Sequence, residues 1–146
     1  MNLKIHIDGG ARGNPGPAAT GVVIHDADDD APIHEAGYFL GKTTNNVAEY
    51  SGLIHALEIA ARLKAASLDI YSDSQLMVRQ INGQYRVKNQ GLKPLFAKAR
   101  RLLDGFDRWT ITDVRRERNT RADELANLAM DLGRDVVEFS AEGFEA

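Results

Sequence analysis

Leu3, Ile5 and Ile7 alternate with Lys4 and His6, and the alternation stops at Asp8 against the run GGARGNPGP. Successive strand side chains point to opposite faces, so this pattern demands a sheet with one covered face. The glycines and prolines that follow oppose both helix and strand. The spacing therefore predicts a strand over 3–8, ending at Asp8, and then a loop. Residues 18–26 and 33–42 predict two more strands around the acidic turn DADDDAP, completing an antiparallel meander. Then the period changes. Val47, Tyr50, Ile54, Leu57 and Ala61 recur at helical spacing, which predicts a helix over 45–64 with one buried stripe.

Downstream, a strand is predicted over 68–72 and a short helix over 74–81, followed by the polar loop NGQYRVKNQGLKP. A helix over 94–103 tolerates Pro94 in its first turn. A strand over 109–114 and a helix over 120–132 complete the series, the helix with Leu125, Leu128, Ala129 and Leu132 on one side. A meander followed by β–α alternation implies an α/β fold, one mixed sheet flanked by helices. Periodicity is lost after Gly133, so 1–133 reads as the domain and 134–146 as a C-terminal tail, a frayed end or the start of a linker.

Composition narrows the chemistry. Cysteine is absent, which removes disulfides, thiolate metal sites and a cysteine nucleophile, and fits a reducing cytoplasm. No apolar run approaches the ~20 residues a bilayer requires, and no charged-then-apolar leader opens the chain, so no membrane partner is expected. A net charge of -3 is the wrong sign for a nucleic-acid partner unless the acids are held at a cation site.

Singly, each candidate acid has an ordinary structural role. Asp8 can accept N–H bonds from the glycine loop, and Glu49 can close a capping box with Asn46. Asp73 can cap the helix beginning at Ser74, and Asp123 suits the first turn after Thr120. Jointly they say more. Asp8 and Asp73 end strands, where sheets of α/β units place ligands, and Glu49 and Asp123 sit in first turns of helices. If the two strands are neighbours, four carboxylates converge, and a hard cation such as Mg²⁺ or Mn²⁺ relieves their repulsion. Two such cations about 3.5–4 Å apart can activate a water on one side of a phosphodiester and stabilise the leaving oxygen on the other.

The segments IDGGARGNPGPAATGVV (7–23), TTNNVAEYSGLIHALEIA (43–60), IYSDSQLMVRQI (70–81), YRVKNQGLKPL (85–95) and RNTRADELANLA (118–129) resemble the type I ribonuclease H family, in family order. The resemblance implies a ribonuclease H-like fold with a five-stranded mixed sheet. It implies an endonuclease that cuts the RNA strand of RNA–DNA hybrids with two Mg²⁺ or Mn²⁺ ions, leaving 5′-phosphate and 3′-hydroxyl ends. It places the metal-binding acids at Asp8, Glu49, Asp73 and Asp123, with Asp8 bridging both ions. Asp123 would support the ion that activates water, and Glu49 and Asp73 the ion at the leaving group. Asn14, Asn45 and Asn46 match positions that reach the hybrid's minor groove, where amides can read 2′-hydroxyls. The ordinary roles remain open: Asn14 before Pro15 suits a turn, and Asn45 or Asn46 can cap the helix. Thr44 and Asn89 match a DNA-strand phosphate pocket, and Lys42 stands where that pocket often has a basic residue.

Two departures stand out. Many relatives carry a histidine before the last catalytic aspartate, whereas DVRRERNTRAD has none. Arg116 is the substitute, with Arg115 or Arg118 as rivals, able to steer a phosphate but not to shuttle protons at neutral pH. Relatives with a basic protrusion carry an extra helix where this chain has only NGQYRVKNQG, so weaker hybrid affinity is expected. Tyr85 serves there either as an aromatic contact to the DNA strand or as a loop anchor. A monomer is expected.

Other signals carry less. Asp26, Asp28 and Asp30 mimic the start of a calcium loop, but Ala31 and Gly37 stand where glycine and glutamate are required. AGYFLGKT (36–43) misses a phosphate-binding loop by Ala36 and reads as strand, and the four histidines, lacking metal-ligand spacing, read as strand or helix-surface residues. Two rival functions follow from the same residues. A strand-transfer enzyme would prefer plain duplex DNA, and a silent binding module would hold a hybrid without turnover in any metal.

Overall fold

The computed structural model describes residues 1–141. Strand β1 (Asn2–Ala11) buries Leu3, Ile5 and Ile7 completely, as the alternation requires. It pairs antiparallel with β2 (Gly16–Asp26), which pairs antiparallel with β3 (Pro32–Thr43). Helix α1 (Asn45–Arg62) leads to β4 (Ser67–Ser72), which lies parallel to β1 on its other side. Helices α2 (Gln75–Ile81) and α3 (Lys93–Leu103) precede β5 (Arg108–Asp113), parallel to β4. A single turn at Arg116–Arg118 leads into α4 (Thr120–Leu132), and β6 (Val136–Ser140) follows.

The mixed sheet therefore runs β5-β4-β1-β2-β3-β6, with six strands where five were expected. The sixth comes from the segment read as a tail. It pairs with the outer edge of β3, from His34 opposite Ser140 to Gly37 opposite Val136. An edge strand buried on neither face needs no apolar alternation: Val136 and Val137 are half-buried and Phe139 is exposed. The glycine run also departs from expectation. β1 continues past Asp8 to Ala11, because ladder pairs from Asp8–Gly21 to Ala11–Ala18 use backbone groups alone. Asp8 is thus an interior strand residue, not a terminal one.

Helix α1 packs on one face of the sheet, and α3 packs on α1. The buried cluster between them includes Leu3, Ile5, Tyr50, Leu53, Leu57, Ile70 and Met77. Contact on both sides widens the buried face of α1 beyond one stripe, taking in Leu53, Ala56, Ile59 and Ala60, while Ala61 is exposed. On the opposite face, α4 lies across β2 and β3. Its Leu125 and Ala129 are buried as expected, together with Ala122, but Leu128 is only half-buried and Leu132 is 48% exposed because the helix ends beyond the sheet. His34, read as an ordinary strand or surface residue, is fully buried, with Nε2 2.7 Å from the Tyr38 hydroxyl and Nδ1 3.2 Å from Ser140 Oγ.

Gly21 sets the seat of α4. A β-carbon there would collide with the carbonyl of Ala122, a backbone atom that cannot rotate away. Gly21→Ala should therefore lower stability by about 3 kcal/mol, the upper range for overpacking a tight contact, read as a urea midpoint shifted at constant m.

Candidate active site

Ile7 of β1 lies opposite Ser72 of β4 in parallel register, so the next residues, Asp8 and Asp73, emerge side by side. Helix α1 crosses β1 where Gly9 has no side chain, since a β-carbon there would strike the backbone of Ala48. That approach lays Glu49 across the strand, where its Oε1 accepts the Gly9 N–H. Carboxylate oxygens of Asp8, Glu49 and Asp73 all lie within 4.8 Å of one another. Asp123, in the first turn of α4, faces Asp8 and lines the same cleft, yet stands outside that tight group of three. The four predicted acids are therefore neighbours, three closely and one at the flank.

Neither Glu49 nor Asp73 performs the capping role open to it from the sequence, whereas Asp123 does occupy the first turn of α4. Thr44 caps α1 by accepting from the Val47 N–H at 3.3 Å, so neither Asn45 nor Asn46 does. Ser74, not Asp73, caps α2 through the Met77 N–H at 3.2 Å. Helix α4 has no side-chain cap.

Electrostatics at the cluster run against ionisation. Burial pushes the Asp8 carboxyl far above the ordinary carboxylate range, and repulsion from Glu49 and Asp73 adds to it. Burial likewise raises Glu49 to about 8, with Asp73 adding to the rise while the Gly9 N–H and Ser74 hydroxyl oppose it. A donor set of carboxylate oxygens, beside an open cleft of about 340 Å³, fits a hard divalent cation. Such a charge would reverse the penalty by stabilising the ionised form.

Around the cluster the predicted substrate residues divide into two groups. Asn14 and Asn45 are brought together: Asn14 Oδ1 accepts the Asn45 N–H at 3.1 Å, and Asn45 Oδ1 accepts the Ala11 N–H at 2.7 Å. Asn45 lines the cleft with the acids, and Asn46 is exposed beside it in the first turn of α1. Lys42 is exposed near the end of β3. Farther along, Asn89 Oδ1 accepts from Gly91 and Leu92 at 2.7 and 3.2 Å, shaping the entry to α3. Tyr85 lines a separate cleft with Arg86, Lys93 and Phe96, its hydroxyl 2.7 Å from Arg79 Nη1. Arg116 lines the acidic cleft, with Nη2 3.7 Å from Asp123 Oδ1, whereas Arg118 faces a different cleft beneath α4.

Two positioning residues escaped the sequence. Asn119 is buried and donates from Nδ2 to the Ile7 carbonyl at 2.7 Å, tying the start of α4 to β1 one residue before Asp8. An asparagine just ahead of a helical pattern was the available signal, but nothing local distinguishes a tertiary tie from a cap. Arg12 was passed over as a loop residue. Its guanidinium reaches back to Asp131 on α4 at 2.7 Å and lines the acidic cleft.

Comparison with known proteins fits this geometry. The sequence model described as reverse transcriptase-like matches residues 6–129. The fold is similar to the crystal structure of RNase H1 from Halobacterium salinarum, with 44% identity, 90% of this chain and 98% of that one covered, and a TM-score of 0.86. It is equally similar to the N-terminal RNase H domain of a Mycobacterium tuberculosis protein, with 44% identity, 90% and 100% coverage, and a TM-score of 0.87. LC11-RNase H1, solved in complex with an RNA/DNA hybrid, is 43% identical with 90% and 98% coverage and a TM-score of 0.84. The chain spans only 39% of the full bifunctional M. tuberculosis protein and 64% of the full H. salinarum ribonuclease HI, at 45% identity to each.

The raised carboxyls fix the sign of a pH effect. Asp8 and Glu49 hold protons more tightly when folded than when unfolded, so the folded chain binds more protons and stability falls as pH rises. The fall begins above the ordinary carboxylate range, about 4, and continues through Glu49's value of about 8. In EDTA, Tm should be lower at pH 8 than at pH 5. Asp8→Asn should flatten this slope and raise Tm at pH 8 by about 4 °C, equivalent to about 1–2 kcal/mol at this length. Calorimetry of both proteins across pH checks it.

Proposed function

This chain belongs to the ribonuclease H-like family, and from that premise we propose that it is an endonuclease hydrolysing the RNA strand of RNA–DNA hybrids. The observation that carries the proposal is the meeting of Asp8, Glu49 and Asp73 oxygens within 4.8 Å beside a cleft edged by Asn45. The named relatives with whole-domain coverage are ribonucleases H, and one of them was solved with a hybrid.

In this reading Asp8, Glu49, Asp73 and Asp123 would hold two divalent cations, Mg²⁺ or Mn²⁺. When bound, these ions supply Lewis-acid activation of water and neutralise charge on the leaving oxygen. The protein positions everything else. Gly9 and Ser74 hold the Glu49 carboxylate, Asn119 holds the start of α4, and Arg116 balances Asp123 and steers the product phosphate. It does so without moving protons, because a guanidinium stays charged.

Strand choice follows from the amides. Asn14 and Asn45 commit their oxygens to backbone N–H groups, which leaves amide N–H donors for 2′-hydroxyl oxygens, with Asn46 beside them. Thr44 and Asn89 likewise commit their side-chain oxygens and keep donors, which suits a DNA phosphate, with Lys42 adding charge. Residues 82–92 join α2 to α3 without a further helix, so Tyr85 offers only a small aromatic contact. We place the reaction in the cytoplasm, performed by a monomer. No helix among the described residues is long and apolar enough to cross a membrane.

A labelled hybrid incubated with Mg²⁺ or Mn²⁺ should be cut in its RNA strand to 5′-phosphate and 3′-hydroxyl products, and EDTA should abolish cutting. Glu49→Gln should reduce kcat by at least about 100-fold, the scale for removing one group that stabilises transition-state charge. Equal turnover of plain duplex DNA, or full activity in Glu49→Gln, would overturn the assignment.

A further inference from the structure

We propose that Arg12 binds a backbone phosphate of the RNA strand beside the scissile one, an inference that rests on the reaction proposed above. Arg12 follows the last residue of β1, and its backbone N–H closes the turn onto the Pro17 carbonyl at 2.8 Å. The side chain folds back over the sheet and lines the same cleft as Asp8, Asp73 and Asp123.

The way it is held matters most. Nη2 meets Asp131 Oδ1 at 2.7 Å, Asn127 Oδ1 at 3.3 Å and the Asn127 carbonyl at 3.4 Å. Every described contact of the guanidinium uses that one nitrogen. A guanidinium is planar, so holding Nη2 orients the whole group. Both of its side-by-side donor pairs include Nη2, which leaves Nε and Nη1 as two separate donors on opposite sides. Either can give one charge-assisted bond to a phosphate oxygen.

Charge points the same way. The cleft contains two cationic side chains, Arg12 and Arg116. Arg116 faces Asp123, one of the acids proposed to hold cations. Arg12 instead pairs with Asp131, which is 60% exposed and takes no part in the acidic cluster, so this pair is well screened by water. A nucleic-acid strand carries a phosphate every ~3.4 Å of helix axis. With the scissile phosphate at the acids, the same strand brings a neighbour along the cleft toward Arg12.

A purely structural reading makes Arg12 a strut between the β1–β2 turn and α4, and paired variants separate the two. Hybrid binding in EDTA, followed by fluorescence anisotropy against salt, supplies a readout independent of turnover. Arg12→Lys keeps the charge, but its single ammonium cannot hold Asp131 and also offer separate donors to a phosphate, and should weaken binding about 5- to 10-fold. Arg12→Ala should also lower the salt slope by about 1, as expected for one lost phosphate contact. Asp131→Asn removes the competing carboxylate, and should bind at least as tightly as the parent chain. A hybrid with a neutral methylphosphonate beside the scissile position should be insensitive to Arg12→Ala. The strut reading predicts that Asp131→Asn weakens binding as much as Arg12→Ala, with lowered Tm in both, and this result would overturn the proposal. So would unchanged binding in Arg12→Lys and Arg12→Ala. A parent chain that binds hybrid without cutting it would overturn the reaction proposed above, while the Arg12 comparison would still be read.

Discussion

Carboxylates packed within 4.8 Å of one another repel, and both Asp8 and Glu49 are 92% shielded from the water that would normally screen them. The fold has to hold this arrangement against its own electrostatics, so each acid is fixed by something stronger than a local turn. Parallel pairing of β1 and β4 fixes Asp8 beside Asp73. The close contact between Gly9 and Ala48 fixes Glu49, and the bond from Asn119 to Ile7 fixes the helix that carries Asp123. Each restraint ends on the backbone of β1. The fully buried Leu3, Ile5 and Ile7 hold that strand in the core, which makes the rigid middle of the sheet the foundation of the site.

The polar rim follows a complementary rule. Asn14, Asn45, Thr44 and Asn89 all turn an oxygen acceptor inward to a backbone N–H. What remains outward is donor-rich, suited to phosphate and hydroxyl oxygens. The net charge of -3 is consistent with that surface because the acids are segregated. Some form the cluster, and others occupy the turn after β2, where Asp26 and Asp29 accept local N–H groups and Asp30 pairs with Lys4 at 2.6 Å.

Much of this was legible in the sequence, in proportion to how far each feature is decided locally. The strands over 3–8 and 68–72 were visible because a two-residue period is short-range, and their adjacency brought Asp8 to Asp73. Strand β6 was not visible, since Val136 and Val137 point to opposite faces and are both only half-buried, which leaves no period to display. Extension of β1 through Gly9 and Gly10 was masked by glycine's usual association with turns, although ladder pairing needs no side chain. The capping roles of Thr44 and Ser74 were hidden by better-known candidates one residue away. Asn119 and Arg12 were missed for another reason: their partners, Ile7 and Asp131, lie more than a hundred residues distant.

That separation in sequence gives α4 a role beyond carrying Asp123. The helix begins at the tie to β1, and its later turns hold Arg12 through Asn127 and Asp131. Eight residues separate Asp123 from Asp131, which at 1.5 Å per residue is roughly 12 Å along the helix axis. Arg12 sits on a glycine-rich turn that alone would leave its position loosely defined. Docked on α4, its distance from the carboxylates is set by helical rise rather than by loop geometry. A turn built from flexible residues thereby acquires the precision of the element it touches, and the far wall of the cleft becomes as well placed as the acids themselves.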